Sequence, residues 1–232
     1  MKIDILTLFP ALFSNFLTES MIGIAVNNGA IDVKITNIRD FAHDKHKTTD
    51  DYPYGGGAGM IMKPEPIFEA VQAVKTAKNT PVIYFTPQGR LLDQDLVNEY
   101  CKSEKIILLC GHYKEIDQRV RELVVTDEIS IGDYVLSGGE IPAMVFIDAV
   151  ARLQEGVLSD IDSAMSDSHQ KYLLGCPHYT RPPEFKGLTV PEVLLSGNHA
   201  RIAEWRLERA REITQKIRPD LYKKFIENEK KK

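Results

Sequence analysis

Residues 131–142 read Ile-Gly-Asp-Tyr-Val-Leu-Ser-Gly-Gly-Glu-Ile-Pro, and this segment sets the interpretation of the sequence around it. Gly132, Gly138 and Gly139 interrupt it, and Pro142 is expected to begin a helix. Glycine tolerates positive φ and lets a ligand approach bare backbone. Proline at a first helical position leaves neighbouring N–H groups free to meet a ligand. These features fit an ordinary strand-to-helix turn and a ligand-binding loop equally well.

The sequence before this segment predicts alternating strands and helices. Strands are expected at residues 2–8, 32–36, 81–85 and 106–110, and helices at residues 10–19, 65–78, 93–103 and 116–123. Continuous apolar strands separated by helices are typical of a parallel sheet covered on both faces. Ligands of such sheets bind at the carboxyl ends of the strands, where residues 86–90, 111–115 and 131–142 would meet. The predicted fold class is therefore α/β, with a ligand crevice at that edge.

Composition places the 232-residue chain among ordinary globular proteins, with 43% hydrophobic and 27% charged residues. No apolar run approaches the roughly 20 residues needed to span a bilayer. The N-terminus alternates polar and apolar residues, unlike a secretion signal, so a cytoplasmic location is expected. Cys101, Cys110 and Cys176 form no CxxC pair, which disfavours both zinc and a disulfide framework.

Charge is distributed unevenly along the chain. Residues 1–168 hold 15 Lys and Arg against 25 Asp and Glu, a net charge of −10, whereas residues 169–232 hold 14 against 8, a net charge of +6. We expect a body at 1–158, a Ser- and Asp-rich linker at 159–168 and a basic helical module at 169–232. The basic module suits a polyanion, although a solvated helical surface would show the same charges.

The irregular segment 39–63 contains two further patterns. His43 and His46, beside Asp44 and Asp50, resemble metal ligands, but such spacing on a loop is weak evidence for a metal. The run of glycines at 55–59 lacks the Lys-Ser/Thr of a phosphate-binding P-loop and does not fit GxGxxG, which disfavours binding of nucleoside triphosphates or NAD. A loop of this length without regular structure is usually functional or mobile.

Seven blocks occur along nearly the whole chain in one characteristic order: LFP (8–10), RDFAHDKHKTTDDYPYGGGAGM (39–60), TPQGR (86–90), CGHY (110–113), IGDYVLSGGEIP (131–142), CPHYTRP (176–182) and LLSGNH (194–199). Together they resemble the bacterial tRNA (guanine-37-N1)-methyltransferase family of the SPOUT class. The resemblance implies a parallel sheet with a deep trefoil knot, an exception to the usual unknotted topology, and a small helical C-terminal domain. It also implies a homodimer whose two subunits complete each active site.

The resemblance further implies S-adenosylmethionine as cofactor and tRNA with guanosine at position 37 as substrate. The positions that match the family's cofactor contacts are Tyr84, Phe85, Pro87, Gly111, Ile131, Gly132, Tyr134, Leu136, Gly138, Gly139 and Pro142. Asp167 matches the general base that removes the N1 proton of guanine, and Arg152 matches the residue that stabilises negative charge on O6. The positions that match tRNA contacts are Asp50, His178, Ser196 and Asn198. The family also implies Mg²⁺, but the sequence offers no ligand set for it.

Three positions depart from the family pattern. Lys114 stands where an acid is usual, with Glu115 one place later, Gly175 replaces a common acid, and His169 replaces a usual Phe. Two alternative functions therefore stay open, a SPOUT methyltransferase acting on another RNA and a non-catalytic RNA-binding protein that retains the fold. The first would share the cofactor loops but lack CPHYTRP and LLSGNH, and only Lys114 supports the second.

Overall fold

The computed structural model describes residues 1–158 and 167–230. The chain divides into two compact units, Met1–Ser159 and Asp160–Lys232. The predicted linker at 159–168 falls at this division, and its residues 159–166 lie outside the described residues.

The first unit alternates strands and helices, as the sequence predicts. Its strands are β1 (Lys2–Thr7), β2 (Asp32–Asn37), β3 (Asp50–Asp51), β4 (Ile61–Met62), β5 (Val82–Leu91), β6 (Lys105–Leu109), β7 (Glu115–Ile116) and β8 (Asp127–Ser130). Its helices are α1 (Ser20–Asn27), α2 (Pro64–Val74), α3 (Gln94–Tyr100), α4 (Gln118–Val124) and α5 (Glu140–Ala151).

A five-stranded sheet organises this unit in the order β2-β1-β6-β5-β8, with every neighbouring pair parallel. The short strands β3, β4 and β7 form a second sheet. The predicted α/β class is thus confirmed, whereas the trefoil knot stays a prediction.

The strand β6 shows why continuous apolar runs predict a covered sheet. Ile106 and Leu108 belong to a buried cluster that includes Phe146 of α5. Ile107 and Leu109 belong to another buried cluster that includes Val71 of α2. Because successive side chains point to opposite faces, both faces of β6 must be covered, and apolar residues are needed at every position.

The helix predicted at residues 10–19 is wrong. Only one 3-10 turn forms, at Pro10–Phe13, and α1 begins at Ser20. In between, the hydroxyl of Thr18 donates to the carbonyl oxygens of Ser14 and Asn15, at 3.3 and 3.2 Å. Short polar side chains of this kind offer the backbone alternatives to a regular helix.

Residues 86–90, which follow the strand predicted at 81–85, instead lie inside the long strand β5, where the pairing with β8 slips. Phe85 and Arg90 both lie opposite Ile129, so residues 86–89 bulge out of the ladder. Gly89 lies against the β8 backbone, and a β-carbon there would be 2.4 Å from the carbonyl carbon of Glu128. The bulge re-aims this segment toward the carboxyl edge of the sheet.

The helix α5 begins two residues earlier than the sequence predicts. Gly139 precedes its first residue, Glu140, so Pro142 is the third helical residue rather than the first. The N–H of Ala143 donates to the carbonyl of Gly139 at 2.9 Å. Pro142 therefore lies in the first turn of α5. Backbone N–H groups in the first turn of a helix have no partner within the helix, so proline, which lacks an N–H, is tolerated there.

The described part of the second unit begins with an irregular segment at residues 167–183, which is followed by one short hairpin and three helices. Its elements are β9 (Glu184–Phe185), β10 (Leu188–Thr189), α6 (Glu192–Leu195), α7 (His199–Ile217) and α8 (Pro219–Glu229). Asn198 caps the N-terminus of α7, since its side-chain oxygen accepts from the N–H of Arg201 at 3.2 Å. None of the helices described in either unit is long and apolar enough to cross a membrane.

Candidate active site

The carboxyl ends of β5, β6 and β8 surround an open cleft with about 720 Å³ of empty volume. We call it the edge cleft; its walls are residues 84–87, 111–115, 129–132, 134–139 and 142. All eleven residues predicted to bind a cofactor line it: Tyr84, Phe85, Pro87, Gly111, Ile131, Gly132, Tyr134, Leu136, Gly138, Gly139 and Pro142. The convergence of three loops at one sheet edge is therefore confirmed, while the residues' role in cofactor binding stays a prediction.

Two walls of the edge cleft are joined through their backbones. The N–H of Gly139 donates to the carbonyl of Gly111 at 2.8 Å, and His112 forms an antiparallel bridge with Gly138. Gly111 also lies against Tyr84, since a β-carbon on it would be 2.7 Å from Cε2 of that ring. Only glycine fits this contact without displacing the ring.

A buried carboxylate anchors the glycine-rich loop to the end of β1. Glu140 is 3% exposed, and its Oε1 accepts a hydrogen bond of 2.8 Å from the hydroxyl of Thr7. The same hydroxyl oxygen accepts from the N–H of Phe9 at 2.9 Å. As the first residue of α5, Glu140 also lies at the positive end of the helix dipole. The start of α5 is thereby fixed relative to the sheet.

Beneath the edge cleft, Tyr84 is 3% exposed and donates its hydroxyl to Oε1 of Glu115. Burial raises the pKa of Tyr84 well above its usual value, and the bond to Glu115 raises this pKa further. The phenol is therefore protonated at neutral pH. Arg121 lies 3.6 Å from Glu115 and 5.6 Å from the centre of the Tyr84 ring.

Lys114 lines the edge cleft beside the glycine-rich segment 55–59. Its N–H donates to the carbonyl of Met60 at 3.1 Å, and its side chain lies 3.5 Å from where a β-carbon on Gly59 would be. The neighbouring carboxylate of Glu115 is occupied by Tyr84 and Arg121. Glu115 is thus bonded to other residues beneath the cleft. The charged side chain that lies beside the glycines is that of Lys114.

The two predicted catalytic residues belong to different units. Arg152 is exposed and caps the C-terminal end of α5 in the first unit. Asp167 is exposed and belongs to the second unit. Their roles as charge stabiliser and general base stay predictions.

The residues that resemble metal ligands are used in other contacts. Nε2 of His43 lies 2.8 Å from Glu69, and Asp44 accepts from the N–H and hydroxyl of Thr48, both at 2.8 Å. These bonds lower the pKa of Asp44. Within residues 1–158 and 167–230, no three His, Cys, Asp or Glu residues are grouped as metal ligands would be.

In the second unit, an open cavity of about 1160 Å³ empty volume is lined by residues 177–181, 183, 190, 194, 195, 202 and 206. We call it the aromatic cavity. It includes the predicted tRNA contact His178 together with Tyr179, Arg181 and Arg206. The ring centre of Tyr179 lies 6.4 Å from that of Trp205.

The other predicted tRNA contacts have local partners. The hydroxyl of Ser196 donates to the carbonyl of Val193 at 2.7 Å and accepts from the N–H of Asn198 at 3.2 Å. Asp50 is half-buried in β3 of the first unit, opposite Met62. Ser196 and Asn198 thus shape the turn before α7, and all three tRNA contacts stay predictions.

Comparison with known proteins assigns the chain to a family. Residues 1–224 match the family model described as tRNA (Guanine-1)-methyltransferase TrmD. The chain belongs to the TrmD family. The match covers nearly the whole sequence and confirms the family resemblance. The edge cleft and the aromatic cavity both lie within the matched residues.

Curated relatives of the TrmD family are similar to the chain over its full length. A Dehalococcoides mccartyi protein is 55% identical over 227 residues, which cover 97% of this chain and 92% of the relative. A Clostridioides difficile protein is 52% identical over 230 residues, 98% of this chain and 100% of the relative. A Caldanaerobacter subterraneus protein is 53% identical over 233 residues, 100% of this chain and 96% of the relative. All three are named tRNA (guanine-N(1)-)-methyltransferase.

The sequence does not reveal the roles of Arg121 and Gln88 beneath the edge cleft. Arg121 lies in a helix with charged faces, where such a residue is ordinarily solvated, yet it is 8% exposed. Gln88 accepts a hydrogen bond from Arg121 and belongs to the segment 86–90, outside the strand predicted at 81–85. The signal in the sequence is that Gln88 lies in one of the segments predicted to meet at the sheet edge and that Arg121 follows another of them.

Proposed function

We propose that this chain transfers a methyl group from S-adenosylmethionine to N1 of guanosine at position 37 of tRNA, next to the anticodon. The observation that carries the proposal is the edge cleft, a single crevice at the carboxyl edge of a parallel sheet lined by all eleven matching residues. Membership of the TrmD family supports a tRNA guanine as the methyl acceptor. This substrate implies a cytoplasmic location.

The edge cleft suits the proposed donor in the chemistry of its walls. Ile131, Tyr134 and Leu136 supply apolar surface, while Gly111 and Gly138 supply exposed peptide groups for the polar edges of adenine. When bound, S-adenosylmethionine supplies an electrophilic methyl group on a sulfonium.

The acceptor nitrogen carries a proton that must leave as N1 attacks. In our proposal Asp167 accepts this proton as general base, which requires a heavy-atom distance of about 3 Å in the tRNA complex. Arg152 stabilises the negative charge that develops on O6 of the guanine. N1 is paired inside a duplex, so the enzyme would act on an unpaired or flipped nucleotide.

The aromatic cavity supports tRNA as the partner of the second unit. Tyr179, whose ring centre lies 6.4 Å from that of Trp205, offers a stacking surface for unpaired bases, and Arg181 and Arg206 offer positive charge for phosphates. His178 would contact the anticodon arm from the same cavity, with Ser196 and Asn198 from the neighbouring turn and Asp50 from the first unit.

Exposed apolar side chains beside the edge cleft support a homodimer with shared active sites. Val135, Leu136, Ile141 and Val145 are each exposed by more than a third of their surface. Exposed apolar surface of this kind is typical of protein–protein interfaces. Sedimentation should therefore show a dimer, and a fully active monomer would contradict the shared site.

The family resemblance also implies Mg²⁺. Residues 1–158 and 167–230 contain no group of three or more His, Cys, Asp or Glu side chains that could hold a metal ion.

The proposal is tested with unmodified tRNA transcripts that differ only at position 37, guanosine in one and adenosine in the other. Labelled S-adenosylmethionine should transfer its methyl group to the guanosine transcript alone. Equal labelling of both would refute selection of position 37. Labelling of ribosomal RNA alone would favour another RNA substrate, and donor binding without labelling of any RNA would favour the non-catalytic alternative.

A further inference from the structure

Arg121 is a charged residue enclosed beneath the edge cleft. It projects from α4, and its side chain is 8% exposed. Its Nε and Nη2 donate to the two carboxylate oxygens of Glu128, both at 2.8 Å. This two-pronged bond raises the pKa of Arg121 and fixes the plane of its guanidinium.

The remaining contacts of Arg121 reach the other walls of the edge cleft. Its Nη2 also donates to the side-chain oxygen of Gln88 at 2.8 Å, which holds the bulged part of β5. Its Nη1 lies 3.6 Å from Oε2 of Glu115 in β7. Glu128 itself belongs to β8. One guanidinium therefore ties together the segments that carry three walls of the cleft.

The same side chain fixes the floor of the edge cleft. The guanidinium lies 5.6 Å from the centre of the Tyr84 ring, and Glu115 holds the Tyr84 hydroxyl from the same side. The ring edge lies against Gly111. Tyr84 is thus confined between the Arg121–Glu115 pair and the backbone of the neighbouring loop.

We propose that Arg121 is a positioning residue for the methyl donor, which holds Tyr84 and the segment around Gln88 at the spacing that the donor requires. This inference rests on the proposed function. It assigns to Arg121 no contact with the donor or with the reacting atoms. A preorganised site binds more tightly because less ordering remains to be done on binding.

The decisive variant is Arg121→Lys, which keeps the charge but cannot bind Glu128 through two nitrogens and Gln88 at once. Its matched control is Arg119→Lys on the same helix, where the arginine is exposed and pairs with Asp117. Donor affinity is measured by calorimetry without RNA, and steady-state kinetics give kcat and the KM of each substrate. Thermal melting verifies that each variant is folded.

We expect Arg121→Lys to weaken donor binding and raise the donor KM by about tenfold, the effect of losing a hydrogen bond to a charged group. Because the acceptor and the base are untouched, kcat and the KM of tRNA should stay within about twofold of wild type. Arg119→Lys should match wild type in every measurement. Donor affinity within twofold of wild type in folded Arg121→Lys overturns the inference, and so does an equal rise in both KM values, which a merely structural role would produce.

Gln88→Met provides a second test that leaves the bond between Arg121 and Glu128 intact. It removes the acceptor that bonds Arg121 next to the cleft wall at Pro87, and it should weaken donor binding without changing the KM of tRNA. If Arg121→Lys does not fold, unchanged donor binding by Gln88→Met overturns the inference. If the wild-type protein binds no donor, the proposed function itself fails, and that result is distinct from wild-type binding that the variants leave unchanged.

Discussion

The ring of Tyr84 lies against the α-carbon of Gly111, so that a β-carbon at position 111 would be 2.7 Å from Cε2 and 2.9 Å from the hydroxyl oxygen of that ring. The ring cannot turn away freely, because its hydroxyl is bonded to Glu115. This contact joins the end of β5 to the loop that follows β6, and both line the edge cleft. The spacing of these two cleft walls therefore depends on having glycine, which has no side chain, at position 111.

Gly111→Ala should reduce donor affinity by about tenfold or more, because inserting a methyl group into a packed contact typically costs about 1–3 kcal/mol. The backbone at Gly111 is outside the left-handed region, so the added methyl group acts through crowding alone. Gly175→Ala is the matched control, since its β-carbon would meet the hydroxyl of Ser168 at 3.4 Å and Nε2 of His178 at 3.9 Å, with no contact shorter than these. Calorimetry with S-adenosylmethionine measures the donor affinity of both variants. Wild-type affinity in Gly111→Ala would contradict the prediction and show that the Tyr84 ring moves to make room for the methyl group.

Sequence pattern predicts the sheet well because burial on two faces demands an unbroken apolar strand. The four consecutive apolar residues from Ile106 to Leu109 satisfy that demand, so β6 can be predicted from its own sequence without knowing which strands pair with it. The short strand β8 is missed, because Asp127 and Glu128 contribute half of its residues. Its place in the sheet follows from pairing with β5, which is a tertiary interaction.

The candidate site, too, can be predicted from the sequence only in part. Glycine-rich loops after apolar strands predict where the edge cleft forms, and the family blocks supply the residues that line it. Arg121 could not be predicted, because helical periodicity does not distinguish an arginine that faces solvent from one that bonds Glu128 and Gln88 under a cleft. The helix predicted at residues 10–19 is wrong for a related reason, since local hydrogen bonds of Thr18 replace a helical turn.

Asp167→Ala should abolish methyl transfer while leaving donor affinity nearly unchanged, because the general base acts on the tRNA base and not on the donor. Single-turnover assays with guanosine-37 transcripts measure methyl transfer, and calorimetry measures donor affinity. Asp167→Asn serves as the matched variant, since it keeps the shape but cannot accept the proton. An equal loss of donor binding would instead mean that Asp167 is structural.

Cys110 should be unreactive in the native protein. It is fully buried, and burial together with the nearby Glu140 raises the pKa of its thiol, so little of the reactive thiolate forms. A Cys101→Ser/Cys176→Ser variant retains Cys110 alone. A disulfide reagent at about pH 8 should label this variant only after unfolding in urea, and rapid labelling of the native variant would contradict the packing at the end of β6.

The bond between Arg121 and Glu128 should make stability depend on pH in the acidic range. Hydrogen bonds from Arg121 hold the pKa of Glu128 below its usual value of 4.5. A carboxylate with a lowered pKa stabilises the fold above its unfolded pKa and loses that contribution as the pH falls through the folded pKa. The wild-type protein should therefore exceed Glu128→Gln in free energy of unfolding near pH 7, with the difference shrinking below about pH 4.5. Urea denaturation followed by circular dichroism measures it, and a difference that stays constant or grows toward acidic pH would show that Arg121 does not stabilise the ionised carboxylate.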